Sequence, residues 1–168
     1  MDKKFSIYIG SAALYSAASV SYAFILLRGM EMGLRAEHSM LIYAAIQAFH
    51  VFSSYPAGII SDRFGRVKAA QIGYAVLVTA FLTISLAPNI QVFVAGALLF
   101  GVHQGIVETA QRAIIPSLVP SEYKGTAYGV YNMAIGLVVL PSNIIAGILF
   151  GFSGSATTFY YGTILALA

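Results

Sequence analysis

The chain has 168 residues, 59% of them hydrophobic and only 9% charged, with a net charge of +3 and a mean hydropathy of +0.83. An ordinary water-soluble domain carries charge on about a quarter of its residues, so that class is excluded. The absence of cysteine excludes disulfides and thiolate metal sites, and no basic patch interleaved with aromatics offers itself to nucleic acid.

An α-helical membrane span needs about 20 mostly apolar residues. In chain order, such runs cover residues 5–27, 40–60, 69–87, 90–111 and 127–150. A sixth run, 156–168, has only about two thirds of the crossing length and reads as a helix truncated by the end of the sequence. No segment shows the alternation of barrel strands. The Met-Asp-Lys-Lys start resembles a secretory signal, but the apolar stretch behind it is long, is punctuated by Tyr and Ser, and lacks a small-residue cleavage site. It reads instead as the first span and as a natural beginning. Connections are short, so residues 1–168 are expected to form a single six-helix transmembrane bundle.

Basic residues set the orientation. With the N-terminus in the cytoplasm, Lys3, Lys4, Arg63, Arg66, Lys68, Arg112 and Lys124 lie inside, and only Arg28 and Arg35 lie outside. That bias predicts a multi-pass protein of the cell membrane, N-terminus in.

Between the second and third runs stands Gly58-Ile-Ile-Ser-Asp62-Arg63-Phe-Gly65-Arg66-Val-Lys68. Glycine allows a tight reversal, and the two arginines carry planar forks suited to carboxylates. The segment resembles the signature loop of the major facilitator superfamily, Gly-x-x-x-Asp-Arg-x-Gly-Arg followed by basic residues. Val67 departs from the family's usual basic residue. A second stretch, from Arg112 through Pro116, Pro120, Lys124, Gly125 and Gly129 to Asn132, looks like the loop and following helix in the C-terminal half of bacterial members. The resemblance covers nearly the whole chain but only one half of the usual twelve-span protein. It implies an all-α six-helix bundle built from two inverted three-helix repeats. It also implies that helices one, two, four and five line the pathway while three and six stay outside. A lone bundle has half a cavity, so a homodimer closed through the cavity face is the expected completion; a fragment of a longer transporter is the competing account.

Helical periodicity groups polar side chains into stripes. Tyr8, Tyr15, Ser19 and Tyr22 share a face of helix one, and Tyr43, Gln47, His50 and Ser54 share one of helix two. Helix four carries Gln104, Glu108 and Gln111, and helix five Tyr128, Asn132 and Asn143; helix three offers little beyond Gln71 and Tyr74 and reads as scaffold. The candidate solute-binding residues are Tyr15, Ser19, Tyr22, Tyr43, Gln47, His50, His103, Gln104 and Asn132. The plainer account of any stripe is hydrogen bonding between packed helices. Gly101 and Gly105 form a small-residue surface for close packing.

Glu108 and Arg112, one turn apart, read as an ion pair that also meets Arg63 or Arg66, in preference to a proton-coupling carboxylate. The candidate gating group is Gly58, Asp62, Arg63, Gly65, Arg66, Glu108 and Arg112. Asp62 is expected near the start of helix five, around residues 125–127, where free N–H groups favour a carboxylate.

No catalytic motif, metal spacing or cofactor loop is visible, so no enzyme activity and no cofactor are expected. The expected function is secondary transport of a small solute by alternating access, with a neutral polar solute such as a sugar as substrate. A lipophilic, drug-like solute is the alternative, and a non-transporting membrane subunit is the rival from another class.

Overall fold

A computed structural model describes residues 3–167, all-helical apart from short connections. The first membrane segment is two helices, α1 (Lys3–Ala17) and α2 (Tyr22–Glu31); α3 (Ala36–Phe64) and α4 (Arg66–Ser85) follow. Then come α5 (Ile90–Ile114), two short 3₁₀ turns at Ile115–Ser117 and Ser121–Tyr123, α6 (Lys124–Ser153) and α7 (Ser155–Leu167).

The expected continuous helix over 5–27 is therefore corrected to a broken one. The amide N–H groups of Ala18 and Ser19 reach back only three residues, to Tyr15 and Ser16, and Val20 bonds the Ala18 carbonyl. The local cause is the run Ser16-Ala-Ala-Ser19-Val-Ser21, because serine hydroxyls compete for backbone groups. Ser16 Oγ donates to the Ala12 carbonyl at 2.7 Å, and Ser21 Oγ caps α2 by accepting from the Ala23 N–H at 3.3 Å. A broken backbone at membrane depth survives only where protein satisfies it. Here α6 does so: Asn143 Oδ1 accepts from the Ser21 N–H at 2.9 Å, and Ser142 Oγ donates to the Ala17 carbonyl.

Among the described residues, four segments are long and apolar enough to cross a membrane: Lys3–Glu31, Arg66–Ser85, Ile90–Ser117 and Ser121–Ser153. The second sequence run is not among them. Its helix α3 has 29 residues and is about 43 Å long, but Gln47, His50, Ser53 and Ser54 dilute its hydropathy. The described part of the sixth helix, α7, has 13 residues, short of a crossing.

Helix α4 packs on α5 and on α7, and α6 packs on α7. Helix α3 packs on α5, and α1 packs on α6. The first core is aromatic and buried, with Phe81 between Phe100 and Phe159 at ring separations of 5.8 and 5.7 Å. A second core joins Phe5, Ala12, Ile115, Ala127 and Tyr131 at the basic end. Helices α3 and α5 touch backbone to backbone. A side chain at Gly101 would strike the Ile46 carbonyl, and one at Gly105 the His50 carbonyl and Ser53 hydroxyl. Met133, Leu137, Leu140, Ile144 and Ile148 form an exposed stripe on α6, facing lipid or a further bundle.

Candidate functional site

A polar pocket of about 150 Å³ lies where the first segment breaks. Tyr15, Ser16 and Ser19 come from the break, Tyr74 from α4, and His103, Gln104, Val107, Glu108 and Gln111 from successive turns of α5. Tyr15 stacks on Tyr74 with ring centroids 4.1 Å apart. Gln111 orders the aromatic floor: its Nε2 donates to Tyr74 Oη at 2.8 Å, its Oε1 accepts from Tyr131 at 2.5 Å, and its backbone carbonyl accepts from Tyr8 at 3.1 Å.

His103 is buried, and its Nδ1 lies 2.8 Å from the Gly73 carbonyl. Since a carbonyl only accepts, Nδ1 carries the proton, and the ring fastens α5 to α4. Gln104 is the exception to this ordering. Its Oε1 is buried and has no hydrogen-bond partner among the described residues, an acceptor that a bound donor would satisfy.

Glu108 meets two partners of different kinds. One oxygen pairs with Arg112 on its own helix, and the other lies 2.9 Å from His50 Nε2 on α3. The expected partner from the signature loop is thus replaced by His50. Arg66 instead donates to the Ala113 carbonyl at 2.6 Å, satisfying one of the last acceptors of α5. The reason is geometric: α5 continues past Arg112 to Ile114, so its carbonyl end, rather than Glu108, lies opposite Arg66.

Of the solute-binding candidates, the pocket gathers Tyr15, Ser19, His103 and Gln104. His50 stands behind it on Glu108. Tyr22 and Tyr43 meet at a tilt of 40° with ring centroids 4.9 Å apart, outside the pocket, and Gln47 lies outside it as well. Asn132 is exposed and lines a separate crevice with Arg112, Tyr128 and Tyr131. Asn143, which periodicity puts on the same face as Asn132, turns instead to the break.

Ser16, Tyr74 and Gln111 line the pocket although the polar stripes do not single them out for binding, and Glu108 lines it in addition to its place in the gating group. The sequence of helix three reads as scaffold, and only the stacking of Tyr74 on Tyr15 reveals otherwise. Ser16 follows Tyr15 directly in α1 and so falls off the stripe that helical spacing picks out.

In the gating group, Gly65 ends α3 and begins α4 with φ +95°, a left-handed conformation that glycine adopts without strain. Asp62 and Arg63 are exposed, and neither forms an ion pair among the described residues. Asp62 borders a basic crevice with Ser117 and Leu118, residues preceding the start of α6. A side chain at Gly58 would meet nothing within 4 Å.

The family model described as the Major Facilitator Superfamily matches residues 5–168. The chain belongs to the major facilitator superfamily. An uncharacterised MFS-type transporter of Methanocaldococcus jannaschii is 28% identical over 173 residues, covering 99% of this chain and 43% of the relative. One of Bacillus subtilis is 27% identical over 172 residues, covering 96% and 42%. A plastidic glucose transporter of Arabidopsis thaliana is 27% identical over 116 residues, covering 67% and 21%. The chain thus spans less than half the length of these relatives. As a member of this superfamily it is a multi-pass membrane protein of a transporter family, not of an enzyme family.

Proposed function

We propose that the chain is one bundle of a secondary transporter for a neutral, hydroxylated solute such as a sugar, working by alternating access about the pocket at the broken first segment. The observation that carries this is Gln104 Oε1, a buried acceptor without a partner among the described residues, in a pocket walled by Tyr15, Tyr74 and serine hydroxyls. A hydroxyl donor would satisfy it. Glu108 adds no net charge, because Arg112 balances it, and the glucose transporter among the relatives accords with such a solute.

The pocket's 150 Å³ falls below the usual range for ligand sites of about 300–1,000 Å³. A facing second bundle would bring it to the lower end of that range. A second copy of the chain, related by a two-fold axis, is the simplest source. Asp62 and Arg63, exposed and unpaired among the described residues, are then the groups that meet the second bundle when the cytoplasmic side closes. Gly58 lets that bundle approach closely. The N-terminus is cytoplasmic by the bias of basic residues, and the membrane is the cell membrane.

The test is binding and transport by the purified chain in liposomes. Cross-linked dimers that bind glucose or a related sugar and take it up would support the reading. A monomer that neither binds nor moves sugars, amino acids or lipophilic cations would overturn it.

A further inference from the structure

A second, apolar crevice of about 390 Å³ opens between α1 and α4. Ile7 and Ser11 of α1 and Val67 and Gln71 of α4 form its exposed lips, spaced at helical intervals. Lys4 stands at its mouth and is the one charged residue among its described lining. Its inner end is Tyr15, Tyr74 and Gln111, which also line the polar pocket. The two spaces therefore share one aromatic wall.

The length of the crevice matches a lipid leaflet. From Lys4 to Tyr15 is eleven residues of helix, about 16 Å at 1.5 Å each, against about 15 Å for half the hydrocarbon core. Apolar walls suit a chain of methylenes, and a lysine at the leaflet surface suits a phosphate. Lys68 and Arg66, set against the single carboxylate of Asp62, keep the adjoining crevice basic, and that crevice shares Val67, Ile114 and Leu118.

We propose that this crevice is a binding site for an anionic phospholipid, with the phosphate between Lys4 and Lys68 and one acyl chain lying along α1 to the Tyr15–Tyr74 wall. The lipid belongs to the cytoplasmic leaflet, a placement that rests on the orientation proposed above. Because its chain end touches the wall of the solute pocket, its occupancy braces Tyr15 and Tyr74 from behind.

Native mass spectrometry of the purified chain with mixed phosphatidylglycerol and phosphatidylcholine tests this. Phosphatidylglycerol should be retained in preference, and Lys4→Gln should lower that retention about fivefold, the effect of one basic residue near the surface. Ser11→Phe, which fills the exposed lip, should lower it further, whereas Lys124→Gln, outside the crevice, should not. A photoreactive side chain at position 11 of an otherwise unaltered chain should label phosphatidylglycerol, which keeps the test decisive if Ser11→Phe does not fold. Equal retention of both lipids, equal losses in Lys4→Gln and Lys124→Gln, or no labelling from position 11 would each overturn the site. Labelling by a photoreactive lipophilic cation in place of lipid would overturn it too, assigning the crevice to a solute. None of these readouts uses transport. Selective lipid retention by a chain that moves no solute would sink only the transport reading, and sugar uptake without selective retention only this one.

Discussion

Replacing Asn143 by Leu tests whether α6 holds the break in the first segment. The substitution removes the acceptor for the Ser21 N–H, 2.9 Å away, and the amide donor to the Val139 carbonyl, also 2.9 Å. Hydrogen bonds between membrane helices average about 0.6 kcal/mol and reach about 2, while a buried donor left unpaired costs about 1–3 kcal/mol. The Ser21 site is half-buried, so the loss should be about 1–2 kcal/mol. For a chain of this size that lowers the melting temperature by about 2–8 °C, readable by circular dichroism in detergent. Asn143→Asp keeps an oxygen at the position and should recover much of the loss. Asn132→Leu, at an exposed amide with no partner among the described residues, should melt like the parent. If Asn143→Leu and Asn132→Leu melted together, the break would be maintained by α1 and α2 alone, and the clamp would be wrong.

Gly105→Ala should destabilise by about 1–3 kcal/mol, because the added carbon meets the His50 carbonyl and Ser53; Gly58→Ala, with open space around it, should be neutral in the same thermal scan. Gln104→Ala should weaken solute binding by about 1–3 kcal/mol in calorimetry, while Gln47→Ala, outside the pocket, should leave affinity unchanged; the reverse pattern would move the site to α3. Arg66→Ala frees the Ala113 carbonyl and should raise hydrogen exchange over residues 113–118 about fivefold, the equivalent of about 1 kcal/mol of local opening. Unchanged exchange there would show that Arg66 does not secure the end of α5.

The family is legible in the amino-acid sequence by itself, because the loop from Gly58 to Lys68 combines residue types and spacing that a basic tether alone does not require. The order of the helical segments is legible too, since runs of apolar residues between charges depend only on local composition. That one face of α5 packs closely can be read from Gly101 and Gly105, but that α3 is the helix it meets comes only from the fold. What a linear pattern does not supply is the break at residues 18–21. Its serines look like any polar stripe, and whether they leave the helix depends on Ser142 and Asn143, more than 120 residues away. Tyr74 likewise becomes a pocket residue only through its stacking on Tyr15, and His50 becomes Glu108's partner through a helix crossing. Periodicity states which side chains share one helix face; which face meets which neighbour is decided by packing between distant segments, and the polar pocket is made of those meetings.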